Sequence, residues 1–136
     1  MEKVRKIYLY DDDLDFLYQN KVQLEALGFK VFDTDSRRKL EEQVEAEKPD
    51  LVVVDLMTEH EDTGFTICYR LKKLYPDLPV IIATGVASET GLDFDAVTSE
   101  EKSWIKADML LAKPLRFEQL LAAIQKLLGM NAESGH

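Results

Sequence analysis

Three consecutive aspartates, Asp11-Asp12-Asp13, follow the short run Lys6 to Tyr10, and a fourth, Asp55, directly follows Leu51-Val52-Val53-Val54. Thr84 stands after Val80 to Ala83, and Lys113-Pro114 after Met109 to Ala112. Carboxylates gathered in one place repel, and their pKa values climb unless a cation intervenes. A hard divalent ion relieves that repulsion. Magnesium suits the task because it takes one or two carboxylates, keeps several waters and engages a phosphate oxygen. Lys113 adds a fixed positive charge, and Thr84 a hydroxyl able to donate to an oxyanion. Such a set fits phosphoryl transfer, in which catalysis is mostly positioning and charge neutralisation. A carboxylate can itself be the acceptor, giving an acyl phosphate. Asp55 is expected in that role because it ends the most apolar run and would be held rigidly. Each residue alone says little: an acid after a strand often caps the next helix, as Asp13 or Asp15 is expected to do, and Lys-Pro is a common helix start. The weight lies in their convergence.

That convergence depends on the elements carrying the residues. Lys6 to Tyr10, Phe29 to Phe32, Leu51 to Val54, Val80 to Ala83 and Met109 to Ala112 read as short buried strands, several of them continuously apolar as in sheets covered on both faces. Helical signals lie between them. Leu17, Leu24 and Leu27 mark a stripe that Asn20 and Lys21 interrupt, ending at Gly28 as a left-handed cap would. Asp35-Ser36 can cap a second helix bearing Leu40 and Val44, and a third runs from about Phe65 to Leu74. Phe117, Leu120, Leu121, Ile124 and Leu128 recur at helical spacing before Gly129. Strands alternating with helices imply right-handed crossovers and a parallel sheet. Ligands of such sheets sit at the carboxyl ends of the strands, where all the residues above fall.

The 136 residues fit one domain, with 46 % apolar content to build its core. The net charge of −9 argues against nucleic acid or anionic membrane as a direct partner, since each demands a basic face. Cys68, the single cysteine, excludes an internal disulfide and is expected to be a half-buried, inert thiol. No apolar run reaches the length of a membrane span and no signal-peptide core follows Met1, so a cytoplasmic protein is expected. A single domain is placed at residues 1–129. Met130 to His136 is expected to be a disordered tail, whose Ser134-Gly135-His136 end resembles the stub of a purification tag.

Tyr10-Asp11-Asp12-Asp13, Val54-Asp55-Leu56-Met57, Ala83-Thr84 and Lys113-Pro114 together resemble the receiver domain of bacterial two-component response regulators, over roughly residues 4 to 129. The resemblance implies a flavodoxin-like, CheY-like (βα)5 doubly wound sandwich, with a five-stranded parallel sheet in the order 2-1-3-4-5. It implies that Asp55 takes a phosphoryl group from a sensor histidine kinase, a phosphorelay protein or a small donor such as acetyl phosphate. Asp12 and Asp55 would bind Mg²⁺ directly, the Met57 carbonyl would be a third ligand, and Asp11 would face the ion's water shell. Thr84 and Lys113 would bind the phosphoryl oxygens and draw their loops inward, moving the face of the last two βα units.

Several positions depart from the family pattern. Glu59 stands where a proline is usual, and Gly64 comes one residue late. The stretch from Gly85 to Asp108 is long, with Thr98-Ser99-Glu100-Glu101 reading as a capping box for a short helix after an extended loop. Leu110 replaces a common aromatic switch residue, which leaves Trp104 as a switch or output candidate. Met57 and Val86, at the positions that tune hydrolysis, cannot hydrogen-bond an attacking water well, so a phosphoryl state lasting minutes or longer is expected. His60 reads as a solvated loop residue.

The leading reading is a stand-alone signalling module that modifies itself and does not turn over an external substrate. It would signal to a downstream protein as a monomer or weak homodimer. A pseudo-receiver that binds a protein independently of phosphorylation is the alternative, and the complete set Asp11, Asp12, Asp55, Thr84 and Lys113 argues against it. A phosphatase of the haloacid dehalogenase type would want an aspartate where Met57 stands, and room for a cap.

Overall fold

Alternation with a period of two runs through the strands and divides the core into two layers. The computed structural model describes residues 4–55, 63–84 and 108–130. Within them the chain runs β1 (Lys6–Tyr10), α1 (Leu14–Ala26), β2 (Lys30–Thr34), α2 (Arg37–Ala46), β3 (Leu51–Asp55), α3 (Thr63–Leu74), β4 (Val80–Thr84), β5 (Met109–Ala112) and α4 (Phe117–Leu127). The strands form one parallel sheet in the order β2-β1-β3-β4-β5, the flavodoxin-like arrangement implied by the resemblance.

Tyr8, Tyr10, Val52, Val54, Val80 and Ile82 face one way and pack with Leu40 and Val44 of α2 and with Ile67, Cys68 and Leu71 of α3. Ile7, Leu9, Leu51, Val53 and Ile81 face the other way, against Leu17 and Leu24 of α1 and Leu120, Ala123 and Ile124 of α4. Every residue of β3 is buried, as expected of a central strand with helices on both sides. Burying a Val, Leu or Ile side chain is worth about 1.5–3 kcal/mol, so these two layers hold the strand ends in fixed register.

Local chemistry sets most boundaries. Asp13 caps α1, its side chain accepting from the backbone N–H groups of Asp15 and Phe16. Ser36 caps α2 through the N–H of Lys39. The chain leaves α1 and α4 through Gly28 and Gly129, at φ +97° and +71°, the left-handed conformation that glycine adopts without penalty.

Three expectations need correction. The second strand lies at Lys30–Thr34, because it pairs residue for residue with β1 all the way to the Tyr10–Thr34 pair. Leu27 is the C-cap of α1 and is exposed, so it does not continue the buried stripe, whereas Asn20 is buried within that stripe beside Leu17 and Leu24. Cys68 is fully buried, because α3 presses it onto the sheet beside Ile67 and Leu71. Met130 packs partly buried against the α1–α4 layer, and its N–H donates to the Gln125 carbonyl. Glu59, His60, Gly85 and the proposed helix start at Thr98 to Glu101 fall outside the described residues. No helix among the described residues is long and apolar enough to cross a membrane.

Candidate functional site

The strand period continues past the strand ends and selects one face of the sheet. Ile7 and Leu9 face the α1–α4 layer, so Asp11 follows on the same side; Asp55 follows Leu51 and Val53, and Lys113 follows Met109 and Leu111. The backbone N–H of Asp11 extends the ladder by donating to Thr34, at 3.2 Å. Because Tyr10 registers with Val54, Asp11 and Asp55 occupy neighbouring positions at the carboxyl edge. β4 ends beside them on Thr84, whose backbone registers with Ala112 of β5.

The side chains meet there. One carboxylate oxygen from each of Asp11, Asp12 and Asp55 lies within 4.8 Å of the others, with Asp11 and Asp55 buried and Asp12 exposed. The Lys113 ammonium sits 2.9 Å from Asp11 Oδ2 and 3.3 Å from Asp55 Oδ1. The other Asp11 oxygen accepts from the Asp13 backbone N–H at 2.9 Å. Burial pushes the Asp11 carboxyl above its ordinary value, against the opposing pull of the Asp13 N–H and of Lys113. Burial pulls the Lys113 ammonium down, but the Asp11 hydrogen bond and the charges of Asp11 and Asp55 outweigh it, and the net shift is upward. Among the described residues, two buried carboxylates, a third at the rim and one cation thus form a site with an acidic excess, exposed on the Asp12 side.

An all-oxygen set of this kind matches a hard, octahedral divalent cation and offers nothing to a soft metal. Asp11, Asp12 and Asp55 are the residues that could hold it. Lys113 stands beside two of them, Asp11 and Asp55.

Of the residues picked out in the sequence, Asp11, Asp12, Asp55 and Lys113 come together, and Thr84 ends the adjacent strand. Leu110 is partly buried against the layer formed by α2 and α3. Met57, Val86 and Trp104 lie outside the described residues. The sequence reading passed over Phe16, whose ring lies beneath the Lys113 ammonium, 5.1 Å from centroid to Nζ. Its only signal was an aromatic in the first turn of the helix that follows the aspartates.

A family model described as the response regulator receiver domain matches residues 7–125, and the chain belongs to that family. It is 31 % identical over 123 residues to the sensory transduction protein BceR of Halalkalibacterium halodurans, covering 90 % of this chain and 49 % of that protein. It is 27 % identical over 124 residues to the alkaline phosphatase synthesis transcriptional regulatory protein PhoP of Bacillus subtilis, covering 91 % and 48 %. The chain therefore spans about half the length of these curated relatives. Among solved structures it superposes on a CheY-like response regulator receiver domain protein from Methanospirillum hungatei with a TM-score of 0.76 at 23 % identity, covering 93 % of this chain and 95 % of the other. A two-component response regulator from Clostridium difficile gives 0.76 at 22 % identity, covering 92 % and 96 %. These likenesses establish the CheY-like fold.

Proposed function

We propose that this chain is a phosphoacceptor switch in which Asp55 receives a phosphoryl group in a Mg²⁺-dependent transfer. The observation that carries the reading is the meeting of Asp11, Asp55 and Lys113 from three separate strand ends, with Asp12 completing the acidic set. A carboxylate oxygen of Asp55 attacks phosphorus as the bond to the donor breaks, and the electron pair of that bond leaves with the donor. The donor is a phosphohistidine of a sensor kinase or phosphorelay protein, or an acyl phosphate such as acetyl phosphate. The buried sheet edge holds Asp55 still, which supplies the positioning that phosphoryl transfer needs. Lys113 neutralises charge on the transferred oxygens, and Thr84 is the proposed hydroxyl donor to them. Asp12 and Asp55 are the proposed direct ligands of the ion, and Asp11 would contact it through water. Bound there, magnesium supplies the charge that lets the phosphoryl group approach the carboxylates.

The phosphoryl group stays on the protein, so the activity is self-modification and not turnover of an external substrate. An exposed apolar row on α1, Leu14, Tyr18 and Val22, starts beside Asp12 and Asp13. A protein donor reaching Asp55 would rest against it. The net charge of −9 favours a downstream protein over nucleic acid as the partner of this segment, acting in the cytoplasm.

Intact-protein mass after incubation with Mg²⁺ and acetyl phosphate tests the proposal. One phosphoryl adduct is expected on the wild type, and none on Asp55→Ala or without magnesium. An adduct of equal yield on Asp55→Ala would remove Asp55 from the role.

A further inference from the structure

We infer that Phe16 is a positioning residue for the phosphoryl transfer, holding the Lys113 ammonium over the acceptor; this rests on the function proposed above. Lysine has a long, flexible stem, and a single amine at its end can as easily turn to water as to a carboxylate. Here the side chain is 25 % exposed, so water is within reach. Two sides of the ammonium meet Asp11 and Asp55, at 2.9 and 3.3 Å. Another side lies over the face of the Phe16 ring, 5.1 Å from its centroid. That distance falls within the range in which a ring quadrupole attracts a cation, roughly 6 Å. The ring attracts the charge and occupies space that water would otherwise take, without offering an acceptor that competes with the carboxylates or with an incoming phosphoryl oxygen.

Phe16 is itself held in place. Its backbone N–H donates to the Asp13 side chain at 3.2 Å, and its carbonyl accepts from Asn20 Nδ2 at 2.7 Å. Asn20 is the polar residue that interrupts the apolar stripe of α1, and it is only 5 % exposed. The turn of α1 bearing the ring is thus tied by side chains at both ends, next to the aspartates of the site.

The test compares Phe16→Leu, which keeps the apolar bulk and loses the quadrupole, with Phe16→Trp, which restores it. The wild type and Asp55→Ala are run alongside, so that failure of the proposed function is seen separately as absence of any Asp55-dependent adduct. The rate of phosphorylation by acetyl phosphate in Phe16→Leu should fall about five-fold, from the usual strength of such contacts. Its Mg²⁺ affinity, followed by NMR of the Asp12 and Asp55 amides, should stay within about two-fold. Phe16→Trp should recover the rate. In the metal-free protein, the Lys113 Hε resonances should show an upfield ring-current displacement that disappears in Phe16→Leu. The assignment is overturned if Phe16→Leu reacts at the wild-type rate, if Phe16→Trp reacts no faster than Phe16→Leu, or if the Lys113 resonances do not move.

Discussion

Lys113 and Asp11 stand 102 residues apart in the chain, yet the lysine ammonium lies 2.9 Å from a carboxylate oxygen that is almost wholly out of water. They meet because β1 and β5 end at the same edge of a parallel sheet and because both residues fall on the strand phase facing α1 and α4. The ion pair does not neutralise the site, since Asp12 and Asp55 share the same small volume. Among the described residues one cation serves these three carboxylates, which leaves a deficit of positive charge that a divalent ion can fill.

That deficit predicts a trade between stability and ion binding. Asn at position 11 keeps one oxygen, enough for either the Asp13 N–H or the Lys113 ammonium but not both, and removes one charge from the cluster. Burial already holds the Asp11 carboxyl above its ordinary value, so its charged form is disfavoured in the fold. Asp11→Asn should therefore stabilise the metal-free protein by about 1 kcal/mol, a rise of roughly 3 °C in Tm. It should also shrink the further rise given by millimolar Mg²⁺. Thermal melts in EDTA and in Mg²⁺ check both signs. A mutant melting below wild type in EDTA would show that the lost Lys113 contact outweighs the relieved repulsion.

The aspartates and Lys113 were legible in the sequence because each depends on a local signal: an apolar run, then a polar residue at its end. The strand order came only with the family resemblance, since no local signal says which strands are neighbours. Leu51 to Val54 gives its register directly, and the two-residue period then aims Asp55. The part played by Phe16 was not legible, because in a helix an aromatic reads as core until the strand-end lysine is placed above it. Asn20 looked like a break in the stripe, yet it is buried and tied to a backbone carbonyl one turn earlier, a bond that spacing alone does not reveal. Leu27 misled for the opposite reason: its spacing fits the stripe, but the chain has already turned out of the helix toward Gly28.

At the opposite edge of the sheet, Glu47 gives a pH dependence separate from the site. The Lys6 ammonium, which donates to it, holds the Glu47 carboxyl below its ordinary value, more strongly than burial raises it. A folded-state value below the unfolded one means that the unfolded chain binds more protons between the two. The contribution is thus fully present above the unfolded value, near 4.5, and fades as pH falls through the folded value. Wild type should be more stable than Glu47→Gln at pH 7. Urea unfolding at stepped pH should show the gap closing below about pH 4.5. A gap that stays constant down to pH 3 would assign the difference to packing.

Cys68 should behave as an inert thiol. Burial against the sheet pushes it up to about 12, and the residue is 1 % exposed. At pH 8 only about one molecule in ten thousand would carry the thiolate. Labelling with a chromogenic disulfide should therefore be negligible in the native protein and reach one thiol per chain in urea. Rapid stoichiometric labelling without denaturant would mean that α3 opens readily from the sheet.

Asp108 stands just before β5, where its carboxylate acts as an extension of that strand. Its Oδ2 accepts from the Val80 backbone N–H at 2.8 Å and from Lys72 Nζ at 2.6 Å, while its own N–H donates to the Val80 carbonyl at 2.9 Å. Val80 is fully buried, so losing the carboxylate would deprive a sheltered N–H at the start of β4 of its acceptor. The ion pair with Lys72 is partly exposed and is worth less than that hydrogen bond. Asp108→Ala should cost about 1–3 kcal/mol, the usual penalty for an unmet buried donor. Asp108→Asn keeps an oxygen for Val80 and should cost less than about 1 kcal/mol. Chemical denaturation of the two variants separates the contributions. Equal losses in both would place the energy in the Lys72 pair, and the joint between α3, β4 and β5 would then be electrostatic and sensitive to salt.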